Sequence, residues 1–272
     1  MSEVLKINGD KLLQGLRLGC SWLTDIAQMS SDSLTSENNS HHLRHTSWRG
    51  AIRGEYHPAT RQWDFFCPTW HTGQAIKALV MAHSVLKEGE LLTAARHGAG
   101  FINNNRISDP SQDDYGLILG FEDVGDSVNT SAILECLDGL FHLSEATGDD
   151  AYTGWAVHAL DWVARKTYLP DERLFYDLFS TSTWSIERAP WAHRQPYPGR
   201  PLLDDGVFLK GYHYTGNREW KNIFYQVADR LLEEEEPARQ LDPLRALQQG
   251  HWLHSPQAGL LVGTAHVDGL CR

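Results

Sequence analysis

Three stretches of this chain follow one plan, and that plan narrows the possible folds more than any other feature. GQAIKALVMAHSVLKEGELLTAARHGAGFI, NTSAILECLDGLFHLSEATGDDAYTGWAVHALDWV and DDGVFLKGYHYTGNREWKNIFYQVADRLL each read as an apolar-periodic helix, a short polar break and a second amphipathic helix. The breaks hold Gly89, Thr147-Gly148-Asp149 and Thr215-Gly216-Asn217. A glycine there suits a helix C-cap, where φ turns positive. A neighbouring Asp or Asn can cap the next helix. In the second unit Ile133, Leu137, Leu140, Phe141 and Ser144 recur at i, i+4, i+7, i+8 and i+11, which is one buried stripe. Trp155, Ala159, Trp162 and Val163 make the matching stripe of its partner.

Repeated helical hairpins predict an all-α chain, with inner and outer helices curving into an α/α toroid. At roughly 60 residues per unit the chain holds about four to five units, so the toroid is incomplete or some hairpins are short. LQGLRLGCSWLTDIAQM adds a helix near the start, and the residues after Gly250 open another. Residues 1–272 read as one toroid-like domain. The hairpins are joined by long polar segments, 30–69, 103–131 and 168–203, and loops of that length usually carry function or mobility. Residues 30–47 read as a mobile loop. The other two mix Gly, Pro, aromatics and acids, which suits loops over a cleft.

Charge excludes some partners. Lys plus Arg is 24 against 35 for Asp plus Glu, a net charge of −11, which argues against nucleic acid or an anionic membrane. No leader with a basic start and an apolar stretch precedes the first helix, so a cytoplasmic chain is expected. Cys20, Cys67, Cys136 and Cys271 are far apart and form no CxxC, so free thiols are expected rather than a metal site. No cofactor motif is visible. His41, His42 and His45 read as a solvated run, and Glu233 to Glu236 as an exposed face. The 10 tryptophans are unusual. Several of them, including Trp70, Trp184 and Trp191, stand in loop-like segments, where an aromatic face can carry a sugar ring.

The stretch EDVGDSVNT places Glu122, Asp123 and Asp126 within five residues, just before the second unit's first helix. Two readings are open. The acids can stabilise the helix N-terminus by ~0.3–1 kcal/mol. Alternatively, crowded carboxylates and apolar walls can raise a pKa until one serves as a general acid. Asp204 and Asp205 stand at the corresponding point of the third unit and carry the same pair of readings. Trp70 and His71 open the first unit. His193, Arg194 and Arg200 lie in an aromatic, proline-rich stretch, where arginine could fork a carboxylate.

The second unit followed by YLPDERLFYDLF resembles the unsaturated glucuronyl and rhamnogalacturonyl hydrolases. The matching elements are Asp126, Asn129, Thr147-Gly148-Asp149, Tyr152, and Pro170-Asp171 with Tyr176. PTWHTGQAIKAL resembles the same group's Trp-x-x-Gly helix start. LLDDGVFLKGYHYTGNREW resembles both this group and the sugar 2-epimerases of the N-acylglucosamine 2-epimerase type. The similarity covers roughly residues 68–232, and APWAHRQPYPGRP stands where the hydrolases have Trp-x-Arg-Gly.

The resemblance implies a toroid whose carboxyl protonates the double bond of an unsaturated uronic residue, after which water adds and the sugar leaves. It implies Asp126 as the main catalytic carboxyl; position at the corresponding repeat point adds Asp205, and closeness to Asp126 adds Glu122, as further catalytic candidates. Trp70, His71, Asp123, Asn129, Trp184, Trp191, His193, Arg194 and Arg200 would contact a small carbohydrate. Two alternatives stand beside a glycosidase-like hydrolase. One is an epimerase, isomerase or lyase on the same toroid, using histidines such as His251, His254 and His266. The other is a helical-repeat binding protein without chemistry.

Overall fold

The computed structural model describes residues 9–33, 45–122, 125–188 and 199–239. Helix α1 (Gly9–Ser21) runs into a π-helical turn, Trp22–Ala27. Three helical hairpins follow: α2 (Pro68–Leu86) with α3 (Gly89–Asn104), α4 (Thr130–Thr147) with α5 (Asp150–Lys166), and α6 (Val207–Thr215) with α7 (Arg218–Arg239). The first helices of the hairpins neighbour one another, α2 against α4 and α4 against α6, while α3 packs on α2 and α5 on α4. This is the all-α, hairpin-by-hairpin plan of an α/α toroid. The chain groups into two units, residues 1–228 and 229–272, and α7 begins in the first and ends in the second.

The caps explain where the hairpins bend. Gly148 and Gly216 sit at φ 69 and 73 and close α4 and α6 with left-handed C-caps. The Asp149 carboxylate accepts the Ala151 N–H at 3.0 Å, and the Asn217 side-chain oxygen accepts the Glu219 N–H at 3.0 Å, so each caps the next helix. The first break differs from the sequence expectation. Lys87, not Gly89, takes the left-handed position at φ 60, and Gly89 begins α3. Pro68 fits the first turn of α2, where its missing N–H costs nothing.

Among the described residues, seven short strands lie before the first hairpin and in the connections after it. The pair β1 (Glu55–His57) and β2 (Gln62–Asp64) precedes α2. Strand β3 (Ser127–Asn129) leads directly into α4 and pairs with β6 (Leu178–Ser180), which pairs with β7 (Ser185–Glu187). Strands β4 (Tyr168–Leu169) and β5 (Leu174–Phe175) form a third antiparallel pair. These pairings give the backbone groups of the long connections their partners.

Helix α4 is buried on nearly every side, with Ile133, Leu134, Leu137, Leu140 and Phe141 all at most 1% exposed. Its contact with α2 depends on two glycines. A Cβ on Gly73 would stand 2.3 Å from the Cys136 Cα, and one on Gly139 would stand 2.2 Å from the Gly73 carbonyl oxygen. The two inner helices therefore touch backbone to backbone.

The base of the loop beginning at residue 30 is tied down. The Asp32 carboxylate accepts the Trp48 N–H at 2.7 Å, the Arg49 N–H at 2.9 Å and the Ser47 hydroxyl at 2.8 Å. His45 is not the solvated residue expected from its run. It is buried among Trp48, Phe101 and Phe121, and its Nε2 donates to the Leu119 carbonyl at 3.0 Å. His41, His42, residues 34–44 as a whole and the helix expected after Gly250 lie outside the described residues.

Gly73→Ala should lower the unfolding free energy by at least ~2 kcal/mol, because backbone rather than a flexible side chain must give way. Gly154→Ala, in a helix with open space around its Cβ, should raise it by ~0.5–1 kcal/mol. Urea unfolding of both variants checks the contrast, and an unchanged Gly73→Ala midpoint would remove the close helix contact.

Candidate active site

A second stripe runs along α4 besides the apolar one. Ser131, Glu135, Asp138, His142 and Glu145 recur at i, i+4, i+7, i+11 and i+14, so they share one face. Hydrogen bonds and ion pairs join this stripe to α2 and α6. Gln74 Nε2 donates to the Glu135 main-chain carbonyl at 3.0 Å. Lys77 Nζ lies 2.6 Å from Asp138, and Lys210 pairs with the other Asp138 oxygen. On α2, Trp70, Gln74 and Lys77 share a face by the same spacing.

At the N-terminal end of the stripe the carboxyls gather. A 3-10 turn, Asp204–Gly206, sits just before α6, and Asp205 in it adopts a left-handed backbone at φ 48 and ψ 12. Such a conformation is uncommon for a residue with a Cβ. The Asp205 carboxylate accepts Lys77 Nζ at 2.9 Å and Gln74 Nε2 at 3.1 Å. Asp177, between β5 and β6, is buried and paired with the Arg200 guanidinium. It also accepts the Ser131 hydroxyl at 3.2 Å, and that hydroxyl lies 3.5 Å from Glu122. Arg200 is held in place by reciprocal main-chain bonds to Phe175 at 2.8 and 2.9 Å.

Crowding sets the proton affinities. Glu135 is only 9% exposed, and its Oε2 has no hydrogen-bond partner among the described residues. Burial first, then the charges of Asp204, Glu122 and Asp205, push its pKa up to about 9, with Arg200 pulling the other way. Asp204 is pushed up to about 6 by burial and by the charges of Asp177 and Asp205, against its own backbone N–H and Arg200. Near neutral pH the site therefore holds one protonated carboxyl beside one that is largely ionised, the arrangement that acid–base chemistry needs.

The residues anticipated from sequence fall into three groups. Glu122, Arg200 and Asp205 belong to the carboxyl cluster, with Asp204 beside them. Trp70 and His71 stand at the opening of α2, their rings stacked with centroids 4.9 Å apart. Burial pushes the His71 imidazole below the usual histidine range, the Phe66 backbone and Glu55 opposing it. Asp126, Asn129 and Trp184 belong to the sheet of β3, β6 and β7. Asp126 does not open the helix. It precedes β3, and its carbonyl accepts the Thr181 N–H at 2.8 Å and the Thr181 hydroxyl at 2.7 Å. Asn129 is wholly buried at the N-cap position of α4, and Trp184 is 50% exposed at the turn between β6 and β7. Asp123, Trp191, His193 and Arg194, like His251, His254 and His266, lie outside the described residues.

Sequence reasoning passed over Glu135, Asp138, Asp177 and Lys77. A signal for the first two was present: acids three apart inside the otherwise apolar run AILECLDGLF. Asp177 carried one as well, as an acid inside the apolar run LFYDLF. Beyond Asp138 a cavity of about 240 Å³ opens between α4 and α6, lined by Phe141, His142, Leu209, Lys210 and Tyr214 among others.

Comparison with solved structures supports the fold. A sugar epimerase from a ruminal bacterium matches 83% of this chain and 56% of its own length, at 14% identity and a TM-score of 0.54. Cellobiose 2-epimerase from Spirochaeta thermophila matches 83% of this chain and 54% of its own, at 13% identity and a TM-score of 0.52. A family 76 glycoside hydrolase from a bovine Bacteroides thetaiotaomicron strain matches 83% of this chain and 43% of its own, at 13% identity and a TM-score of 0.50. These are α/α-toroid enzymes, and the chain has their fold. It spans about half the length of the structures it matches. No family model and no curated protein sequence matches it. No described helix is long and apolar enough to cross a membrane.

The Glu135 proton makes stability depend on pH. An unfolded glutamate releases its proton near 4.5, whereas folded Glu135 keeps it to about 9. Between those values the native state binds more protons, so this contribution to stability is full below the lower value and falls as pH rises through the window. Denaturant unfolding from pH 5 to 9 should show a shallower decline in Glu135→Gln than in the parent protein. Parallel curves would mean that Glu135 ionises like an exposed acid.

Proposed function

We propose that this chain is the hairpin array of a carbohydrate-active enzyme of the hydrolase type, working by carboxyl acid–base chemistry at the N-terminal ends of α2, α4 and α6. One observation carries the reading: Glu135 is buried, holds its proton to about pH 9, and has an Oε2 with no hydrogen-bond partner among the described residues. In the proposed reaction Glu135 gives its proton to the glycosidic oxygen as the bond to the anomeric carbon breaks. Ionised Asp204 takes a proton from water, and the resulting hydroxide adds to that carbon. On an unsaturated uronic residue the same acid would protonate the double bond before water adds. Trp70, on the face of α2 that carries Gln74 and Lys77, would supply the sugar platform. The acidic surroundings favour a neutral ring against the cluster, with any uronate on a neighbouring unit.

This reading moves the main acid from Asp126 to Glu135 and keeps Glu122, Asp205 and Arg200 as its neighbours. A second reading has one observation in its favour. His142 lies on the same stripe with Nε2 3.6 Å from Asp138, and a histidine on that wall could shuttle a proton in an epimerase. The epimerase relatives add support at the level of fold. A binding protein without chemistry would have little use for a buried, protonated carboxyl.

The test is a panel of neutral and unsaturated-uronyl disaccharides, followed by carbon-13 spectroscopy for bond cleavage and for epimer formation. Cleavage should appear, and Glu135→Gln should reduce it at least ~100-fold. Its rate should rise through about pH 6 and fall through about pH 9, following Asp204 and Glu135. If Asp126→Asn abolishes cleavage while Glu135→Gln leaves it intact, the acid is Asp126. Epimer without cleavage would favour the His142 reading.

A further inference from the structure

One turn beyond Glu135, Asp138 is completely buried and gathers three basic groups from three directions. Lys77 comes from α2 at 2.6 Å, Lys210 from α6, and His142 from α4 at 3.6 Å. The Tyr214 hydroxyl also feels its charge and donates to Glu145. Lys77 is the group that matters for the carboxyl cluster, because its ammonium also reaches Asp205 at 2.9 Å. Asp205 in turn holds a left-handed backbone, a conformation that persists only when its surroundings over-determine it. Lys77 and Gln74, each taking one of its carboxylate oxygens, are those surroundings.

We propose that Asp138 is a positioning residue: it shares the Lys77 ammonium with Asp205, and so fixes Asp205, one of the carboxylates whose charge reaches Glu135. The proposal rests on the carboxyl reading for its importance, but its geometry stands without substrate. Two lysines converge on one wholly buried carboxylate. Asp205 completes the neutralisation of Lys77. Removing the Asp138 charge would take away an anion one turn from Glu135 and leave Lys77 wholly to Asp205. Removing the Lys77 charge would leave Asp205 without an ammonium and Asp138 with Lys210 alone, a net gain of negative charge near Glu135. The two changes alter the field on the same carboxyl in opposite senses, which a merely structural role would not do.

The experiment follows the Glu135 side-chain carboxyl by carbon-13 resonance titration in glutamate-labelled protein, with no sugar present, the signal being assigned by its loss in Glu135→Gln. In Asp138→Asn its midpoint should fall by at least about half a pH unit, roughly threefold in proton affinity. In Lys77→Met it should rise by a similar amount, and Lys77→Arg should restore the parent value. Midpoints that stay put, or that move in the same direction in both variants, overturn the proposal. If Asp138→Asn does not fold, the Lys77 pair decides: a rise in Lys77→Met reversed in Lys77→Arg supports the shared ammonium, and no rise overturns it. Because no substrate is used, a negative result here removes the role of Asp138 and leaves the hydrolase reading to its own assay.

Discussion

The contact on which the rest of this structure depends is the approach of α2 to α4 at Gly73 and Gly139. Side chains in either place would hold the inner helices apart, since a Cβ would meet backbone atoms closer than 2.5 Å. With the backbones touching, the polar face of α2 reaches the polar stripe of α4 directly. Gln74 can then bond both the Glu135 carbonyl and the Asp205 carboxylate, and Lys77 can span Asp138 and Asp205. A helix pair at ordinary separation would place solvent or apolar side chains in that space.

This proximity explains how so much charge survives inside a helical wall. Buried carboxylates are costly unless paired or protonated. Asp138 and Asp177 are paired, the first with two lysines and the second with Arg200 and Ser131. No ion pair holds Glu135 among the described residues, and burial pushes its pKa up to about 9, so the neutral form is favoured. The cluster therefore divides into anions that are compensated and two acids, Glu135 and Asp204, whose proton affinity burial raises. In the proposed reaction the proton on Glu135 is the one delivered to substrate.

The short strands have a related task. The segments between hairpins are long, and two of them bring Glu122, Asp177 and Arg200 to the carboxyl cluster. Pairing β3 with β6 fixes the chain just before α4, and the bridge from Phe175 to Arg200 carries the guanidinium back to Asp177. The toroid supplies the wall and these pairings bring the loop residues onto it, a division of labour common to folds whose function resides in connections.

The hairpins were legible in the sequence because helix periodicity and cap chemistry are local. Gly148 with Asp149, and Gly216 with Asn217, need only their own neighbours to end one helix and begin the next. Local signals fell short where two residue types can do the same work, as when Lys87 rather than Gly89 took the left-handed cap. The site was less legible. Glu122, Arg200, Asp204 and Asp205 could be picked out by type, but not their company. Whether Glu135 faces solvent or a neighbouring helix is undetermined by α4 alone, since both readings fit the same spacing. His45 looked solvated for the same reason, and its burial depends on Trp48, Phe101 and Phe121 arriving from other segments. The sequence by itself determined which segments are helices and how they pair into hairpins, because those interactions span a few residues. Only the tertiary structure decided which acids are paired and which keeps its proton, because charge compensation is set by distances between residues as far apart as Lys77, Asp138 and Asp205.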